Sequence, residues 1–534
     1  MNLKPTGLVI ILLCVAQWSS AQEVLVLDRG SVMYPNEPSI CISHTNTSTV
    51  CAGANINYRM HSVDAGKTWE VKPLRSKYGV WGDPVLHGDQ HGKIYFTHLS
   101  RTEGKDKDYG FIDRIVVQRS DDGGKKYNEG SFTGLNEPKM QDKPWMSSDD
   151  YSDPYDSRLY LTWTEFDNIN SKKKKHHSRI RFSYSDDFAE SWSEAITISD
   201  SVGDAVDDDH TLEGATTAVN REGVIYCVWA GHHKLYFDKS VDGGKTWGKD
   251  KVIADQSSGW AMDIPHLYRC NGMPFIVCDN SLGNNRGKLY VVWGDTTAGS
   301  ANVYMMTSDD GGDSWSDIKQ VHNDLYHPNR SQFLPNIAID PKTGNIAVIY
   351  YDRRNSMSDV FTDVYISHST DGGLSFNDYR LSSTFMRPAG KDVFSGDYID
   401  IDYYNGKLAA IWSGNAPSAR IYSAYIDVDT LDRLYPIHKI GQVREYHERT
   451  KKGTVITIAA TTEVSATIAE YKRKWFRKQP MIKREHKLDI RHRIGLEGIT
   501  EKQITVRQKR RILIHAVTTK SLDGKEEETT LYIH

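Results

Sequence analysis

The stretch SVDGGKTWG, residues 240–248, occurs repeatedly along the chain. Four near-copies and one degraded copy begin, about 55–68 residues apart, at Ser62, Ser120, Ser308, Ser369 and, for the degraded one, Ser185. A turn written six times at this spacing indicates a structural unit that is itself repeated.

Each position of the motif has a physical role. The glycine (Gly244 in the quoted copy) can take the positive φ of a tight turn, and Asp242, two residues earlier, can accept backbone N–H groups there. The aromatic residue, Trp247, begins the next strand and can pack between neighbouring sheets. Apolar runs of strand type, such as KLYVVWGD from Lys288 and NIAVIYYD from Asn345, flank the turns.

A second series of short polar or proline-containing entries runs in phase with the turns. Its seven members are NEPSICI, GDPVLHG, DKPWMSS, LEGATTAV, DIPHLYR, FLPNIAI and GDYIDID, which begin at Asn36, Gly82, Asp142, Leu212, Asp263, Phe333 and Gly396. Small sheets of about four strands at this period are typical of a β-propeller. We therefore predict an all-β chain with a propeller of seven blades, six being the alternative, in which EVLVLDR (residues 23–29) supplies the missing outer strand of the last blade.

The inner strands of a propeller line a central funnel, so the residues that open them meet at one mouth. Acids with a lysine, a histidine and a tyrosine in one pocket suit acid–base chemistry on a sugar. The predicted mouth residues are Glu37, Asp83, Asp142, Lys143, Glu213, Asp263, His266, Asn336, Asp397 and Tyr398. The alternative is that such polar groups cap the blade starts and bond exposed backbone.

The repeated turn resembles the Asp box, or BNR repeat, of sialidases and related secreted glycan-active propellers, over residues 23–428. In that family the boxes are structural turns on the face away from the active site. The resemblance implies a glycoside hydrolase in which Glu213 and Tyr398 form the nucleophilic pair, and we add Asp83 as the acid/base. It also implies a glycan or polysaccharide substrate, which could be anionic. We predict no required cofactor or metal.

The chain departs from the sialidase pattern in its arginines. MYPNEPSI, from Met33, has no arginine, and VWAGHHKLYF, from Val228, has His232 and His233 where the second arginine is expected. Arg59, Arg286 and Arg354 are candidate substrate-binding residues, but histidine does not provide a bidentate carboxylate clamp. The histidines favour an alternative, a uronate polysaccharide lyase on the same scaffold. A further alternative is a non-catalytic glycan- or protein-binding propeller.

The remaining segments predict export and a separate C-terminal domain. Residues 1–21 have the layout of a cleavable secretory signal, with an apolar run too short to span a membrane, so we predict a secreted, periplasmic or surface protein built of a propeller (22–429) and a basic β-rich domain (430–534). Residues 430–534 hold 23 Lys and Arg against 13 Asp and Glu, but the export signal argues against nucleic acid as a partner.

Two smaller predictions concern cysteines and calcium. Cys41 and Cys51 flank a predicted hairpin and can face each other, free buried thiols being the alternative. GDAVDDDH, residues 203–210, could bind Ca²⁺ through carboxylates and carbonyls, although a solvated acidic loop is the simpler interpretation.

Overall fold

The computed structural model describes residues 23–28, 35–100, 112–297, 299–324, 329–415 and 419–434, and in the C-terminal region 443–450, 453–460, 464–472, 481–490, 500–506, 513–520 and 526–533. The predicted signal segment, residues 1–21, lies outside the described residues. Among the described residues no helix is long and apolar enough to cross a membrane.

Seven sheets form the propeller, which confirms the prediction of seven blades. The N-terminal strand is β1 (Val24–Asp28), and the strands of the first four blades follow it along the chain. They are β2 (Ser39–Ser43), β3 (Asn46–Ala54), β4 (Tyr58–Ser62) and β5 (Glu70–Pro73); β6 (Val85–Gly88), β7 (Ile94–Leu99), β8 (Ile115–Ser120) and β9 (Ser131–Thr133); β10 (Met140–Ser148), β11 (Leu159–Phe166), β12 (His177–Ser185) and β13 (Ile196–Thr197), with β14 (Gly203–Asp204) at the edge; and β15 (Glu213–Val219), β16 (Ile225–Gly231), β17 (Lys234–Ser240) and β18 (Lys251–Asp255).

The last three blades repeat the same antiparallel order. They are β19 (Phe275–Cys278), β20 (Leu289–Asp295), β21 (Asn302–Ser308) and β22 (Lys319–Gln320); β23 (Gln332–Ile339), β24 (Ile346–Asp352), β25 (Asp363–Ser369) and β26 (Asn377–Arg380); and β27 (Asp400–Tyr404), β28 (Lys407–Asn415) and β29 (Ala419–Asp427). Short 3-10 turns lie at Asp153–Tyr155 and Val428–Arg433. β1 pairs with β29 as the outer strand of blade seven, so the predicted closure by the N-terminal segment is confirmed.

The C-terminal region forms two further sheets. Their strands are β30 (Val443–Thr450), β31 (Gly453–Ala460), β32 (Val464–Lys472), β33 (Met481–Ile490), β34 (Thr500–Val506), β35 (Leu513–Lys520) and β36 (Glu526–Ile533). One sheet has the order β30-β31-β34 and the other β33-β32-β35-β36.

Blades pack through large buried aromatic side chains. The second strands of blades three, four, five and seven each carry a tryptophan that is at most 1% exposed: Trp163, Trp229, Trp293 and Trp412. Side chains of this size bury the most apolar area per residue and so hold neighbouring sheets face to face.

The repeated turns join the third and fourth strands of their blades and are closed by their own side chains. In the copy at Ser308, the amide of Gly312 donates to Ser308 Oγ at 2.8 Å and the amide of Ser314 donates to Asp310 Oδ1 at 2.9 Å. In the degraded copy, Ala189 takes the glycine position with a φ of 63°. The aromatic residue packs on the preceding blade, as Trp315 does on Phe237 with ring centroids 5.3 Å apart.

The antiparallel order gives the propeller two distinct faces. The first strand of each blade lies at the axis, against the first strands of its neighbours. Loops that precede first strands and loops between second and third strands therefore lie on one face, which we call the mouth face. The repeated turns lie on the opposite face, which we call the turn face.

The axis is closed near its middle by aromatic rings. The ring of Trp145 meets Phe275 at 5.0 Å and Tyr398 at 6.0 Å, both edge to face. From Trp145 and Phe275 a cavity of about 240 Å³ continues toward the turn face. Chemistry at the mouth face is thus separated from this cavity by packed rings.

The cysteines are free thiols in the described chain. Cys41 and Cys51 occupy directly opposed positions on β2 and β3, as the hairpin prediction expected, and both are buried. Cys227, Cys270 and Cys278 are also buried and unpaired.

Candidate functional site

Backbone strain places three charged side chains at the mouth. Glu37 and Asp83 each directly precede a proline at the start of an inner strand, and Lys143 precedes Pro144 within β10; their φ values are 47°, 47° and 50°. Left-handed backbone is unfavourable for residues with a Cβ and persists where the surroundings enforce it. After Asp142 the β10 ladder shifts register before pairing resumes at Trp145, which confirms a local interruption of the strand at Lys143.

Lys143 is the buried cation at the centre of the site. Its side chain is 5% exposed, and its Nζ lies 2.7 Å from Asp397 Oδ2 and 3.6 Å from Asp83 Oδ2. Burial opposes the charge of the lysine, but the surrounding Asp142, Asp397 and Asp83 hold its pKa well above the usual range. Lys143 is therefore a fixed positive charge.

Arg269 is a second cation, which joins two acids at the mouth. Its Nε donates to Asp397 Oδ1 at 3.0 Å, its Nη2 donates to Asp397 Oδ2, and its Nη1 donates to Asp207 Oδ2. The bidentate pair with Asp397 is the strong geometry for a guanidinium. Burial alone would raise the pKa of Asp397, but Arg269 and Lys143 outweigh it and hold that pKa below the usual range.

Glu37 connects the first and last blades at the mouth. Its Oε1 accepts the amide of Asp397 at 3.1 Å, and its Oε2 accepts the side-chain amide of Asn55. Asn55 in turn accepts the amide of Asp83 at 2.8 Å. The polar groups around Lys143 thus form one network, and we call Glu37, Asp83, Asp142, Lys143, Asp207, Glu213, Arg269 and Asp397 the mouth cluster.

Several acids of the mouth cluster hold protons near neutral pH. Burial raises the pKa of Asp83, Asp142 and Glu37 to about 7 each, with Lys143 opposing the shift. The Asp83 and Asp142 carboxyl groups each shift the pKa of the other, and Lys143 Nζ lies 3.6 Å from Asp83 Oδ2. Because two buried carboxylates repel, the pair can hold one proton between them near neutral pH.

Glu213 and Tyr398 are both at the inner strands but are not paired. Glu213 is fully buried, its two carboxyl oxygens have no hydrogen-bond partner, and burial raises its pKa well above the usual range. The Tyr398 hydroxyl donates instead to the backbone oxygen of Pro84 at 3.1 Å. Burial raises the pKa of Tyr398 well above its ordinary value. The phenol–carboxylate pair that the resemblance implied is absent from these two described residues.

The predicted histidines lie on the mouth face outside the mouth cluster. His232 and His233 form the β16–β17 turn, and their rings are 6.0 and 5.7 Å from the ring of His210. His233 Nε2 is 3.9 Å from Asp209 Oδ2. Both histidines have a positive φ, which fits a tight turn at the rim.

The predicted entry of blade five is wrong. The inner strand is β19, which follows Pro274, whereas DIPHLYR belongs to the long segment before it. The letters DIP resemble the proline-containing starts of the other inner strands, but no strand follows them. Asp263 is therefore exposed and His266 is half-buried in this segment. Asn336 does lie on an inner strand, but its amide bonds Asp400 at 2.9 Å, below the mouth.

The structure does not bring Arg59, Arg286 or Arg354 to the mouth cluster. Arg59 Nη1 donates to the backbone oxygen of Lys125 at 2.8 Å, in the repeated turn of blade two. Arg286 lies in the β19–β20 loop of the turn face and pairs with Glu222 at 2.6 Å. Arg354 pairs with Asp352 at 2.6 Å and Asp378 at 2.7 Å within blade six.

Sequence reasoning missed Arg269 as a mouth residue, together with its partner Asp207. The misplaced fifth entry hid Arg269, because the segment that carries it has no strand periodicity. Asp207 belongs to GDAVDDDH, where we predicted an acidic loop with a calcium alternative. Its actual partner is a guanidinium, and the described residues include no group of three or more His, Cys, Asp or Glu side chains placed to hold a metal ion.

Comparisons with known proteins found similar folds at low sequence identity. No protein-family model and no curated protein matches the chain. A mutant NanB sialidase from Streptococcus pneumoniae aligns with 11% identity and a TM-score of 0.43, over 65% of this chain and 68% of that one. A Hadza microbial sialidase has 14% identity and a TM-score of 0.42 over 72% and 74%. An alpha-L-arabinofuranosidase from Fusarium graminearum has 12% identity and a TM-score of 0.43 over 77% and 99%. We therefore argue the function from the mouth cluster itself.

Proposed function

We propose that the chain is a glycoside hydrolase that acts on an acidic or complex polysaccharide at the mouth face. The observation that carries this proposal is the buried pair of Asp83 and Asp142 beside Lys143, each acid with a pKa of about 7. A general acid or base works best when its pKa is near the working pH. Such a pair holds one transferable proton at neutral pH.

Each member of the pair has a distinct role in this mechanism. Asp83, whose side chain is 10% exposed, is the group that meets the substrate, and Asp142 is its proton partner. As the glycosidic bond breaks, the leaving oxygen takes the shared proton. The water that attacks the anomeric carbon returns a proton to the carboxylate pair, so one water is added overall.

The cations set the electrostatics of the step. Lys143 lies 3.6 Å from Asp83 and keeps the pKa of Asp83 below the value that burial alone would give. Arg269 is the more exposed cation, with 32% of its side chain accessible, and is the group that contacts hydroxyl or carboxylate oxygens of the sugar. Glu213 serves as a buried neutral acid beneath these groups rather than as the activator of Tyr398.

The test is product formation by Asp83→Asn and by a matched control. Residues 22–534 are incubated with sialylated, uronic and sulfated glycans, and products are read by mass and ultraviolet absorbance. Asp150→Asn is the control, because burial also raises the pKa of Asp150 to about 7 but its carboxyl lines the cavity toward the turn face. We expect products heavier by one water from the parent and the control, and none from Asp83→Asn.

A second candidate function is glycan binding without catalysis. The charged groups of the mouth cluster neutralise one another, and apart from Arg269 the side chains in its ion pairs are at most 10% exposed. Binding of a glycan with no product from the parent protein would favour this candidate. An unsaturated product would favour a lyase and direct attention to His232 and His233.

A further inference from the structure

In the described part of the C-terminal region, the β30-β31-β34 sheet contacts the mouth face of the propeller through the carboxylate of Glu501. Glu501, on β34, accepts Ser356 Oγ at 2.6 Å and the amide of Ser358 at 3.0 Å. The Ser358 hydroxyl also donates to Glu501 Oε2. Three donors on one carboxylate form a specific contact, since hydrogen bonds to a charged acceptor are stronger than neutral ones.

The loop that hydrogen-bonds to Glu501 is the β24–β25 loop of blade six, residues 353–362. Ser356 organises it, because its Oγ accepts the amides of Val360 and Phe361 at 3.1 Å each. The same hydroxyl donates to Glu501, so one side chain links the internal order of the loop to the C-terminal sheet. Met357, between the two serines, is 68% exposed, whereas Val360 and Phe361 later in the loop pack with Phe385, so the contact with Glu501 bears on the part around Ser356 and Ser358.

Arg353 carries the connection from this loop to the mouth. It is fully buried, and its Nη1 donates to the backbone oxygens of Asp359 at 2.7 Å and Pro265 at 2.8 Å. Pro265 lies four residues before Arg269, in the segment that precedes blade five. Arg269 in turn holds Asp397, the partner of Lys143.

We propose that Glu501 is a positioning residue, which fastens the C-terminal sheet to the 353–362 loop and thereby fixes the segment that carries Arg269 over the mouth. The connection consists of consecutive polar contacts: Ser356 Oγ donates to Glu501, the amide of Ser356 donates to the backbone oxygen of Arg353 at 2.8 Å, and Arg353 donates to the backbone oxygen of Pro265. Hydrogen-bond networks of this kind can carry coupling between two sites, and the experiment below measures whether this one does. The C-terminal region would then help to shape the mouth, although none of the eight residues of the mouth cluster belongs to it.

The test is amide hydrogen exchange of the full chain with Glu501→Ala. We expect exchange at least about tenfold faster in residues 353–362 and also in residues 260–272, where Met262 and Gly272 donate to Cys270 and Trp260. Gln503→Ala is the matched control, because Gln503 lies on the same strand and bonds Thr457 within the C-terminal sheet. This control should leave both segments unchanged.

Two further variants keep the test decisive if Glu501→Ala loosens β34. Glu501→Gln retains an acceptor oxygen and should restore most of the protection in both segments. Ser358→Ala removes one donor from the propeller side and should loosen residues 353–362 without altering exchange in β34. Unchanged exchange in residues 353–362 would overturn the contact, and faster exchange there with residues 260–272 unaffected would overturn the positioning role.

Discussion

Replacing Lys143 with methionine tests the electrostatic description of the mouth cluster. The change removes a buried charge that lies 2.7 Å from Asp397 and 3.6 Å from Asp83, and leaves a side chain of similar length. Removing one partner of a buried ion pair typically costs about 3–5 kcal/mol, because the other charge stays buried without compensation. Arg269 remains on Asp397, so we expect the lower part of that range.

The cost depends on pH in a direction that the pKa shifts determine. Lys143 opposes the rise in the pKa of Asp83, Asp142 and Glu37 to about 7. Without the lysine those pKa values rise further, so at pH 5 the acids are protonated and the missing charge matters less. At pH 8 the acids must either ionise without a neighbouring cation or keep protons that the solution would remove. Both alternatives cost free energy, so the loss of stability is greater.

The assay is thermal unfolding by circular dichroism at pH 5 and pH 8. For a propeller of about 400 residues, with an unfolding entropy of about 2.1 cal/mol/K per residue, 3–5 kcal/mol corresponds to a fall in Tm of about 4–6 °C. Lys173→Met is the control, because Lys173 is an exposed lysine of the β11–β12 loop and its loss should change little. A shift no larger than that of the control, or one no larger at pH 8 than at pH 5, would refute the reasoning.

Three other predictions follow from the same structure. The change in Tm from pH 5 to pH 8 should be more positive in Asp83→Asn than in the parent, because Asp83, with a folded pKa raised to about 7, binds more protons folded than unfolded over that range. Buried histidines such as His44 and His87, whose pKa is lowered, act in the opposite direction but are common to both proteins, so an equal change in the two would contradict this. Gly312→Ala should lower the free energy of unfolding by about 1–3 kcal/mol more than Gly287→Ala does. Both glycines have a φ near +84°, but a Cβ at Gly312 would lie 2.1 Å from Phe237, whereas one at Gly287 meets nothing within 4 Å. Equal Tm values for the two variants would remove the steric argument. Tyr398→Phe removes the hydrogen bond to Pro84 and should lower the free energy of unfolding by about 1 kcal/mol, while glycan product formation stays unchanged. Abolished turnover in a folded variant would instead support the tyrosine as nucleophile.

The architecture was predictable because its signals are local. Ser308, Asp310 and Gly312 close a turn with contacts no more than four residues apart, and the same letters recur in the other blades. The unit and its number can therefore be counted along the chain. The prolines after Glu37 and Asp83 lie directly before β2 and β6, so they marked true inner-strand entries for the same reason.

The site was less predictable because its contacts are long-range. Arg269 and Asp397 are 128 positions apart, and the segment around Arg269 has neither strand periodicity nor a turn motif. The orientation of Tyr398 toward Pro84 depends on its packing against Trp145, which no spacing in the sequence reports. Residue types at the mouth could be foreseen, but their partners required the fold.

The pairing of β1 with β29 also determines when the ring can be completed during synthesis. Val24 lies opposite Ser423, so the first strand to be made waits 399 residues (423 − 24) for the edge that receives it. Until then both ends of the incomplete ring expose unpaired backbone, which is a template for pairing with other chains. Loss of β1, by proteolysis or truncation, would leave β29 as an exposed edge strand of blade seven, while the contacts of β2 with β27 would still join the first and last blades.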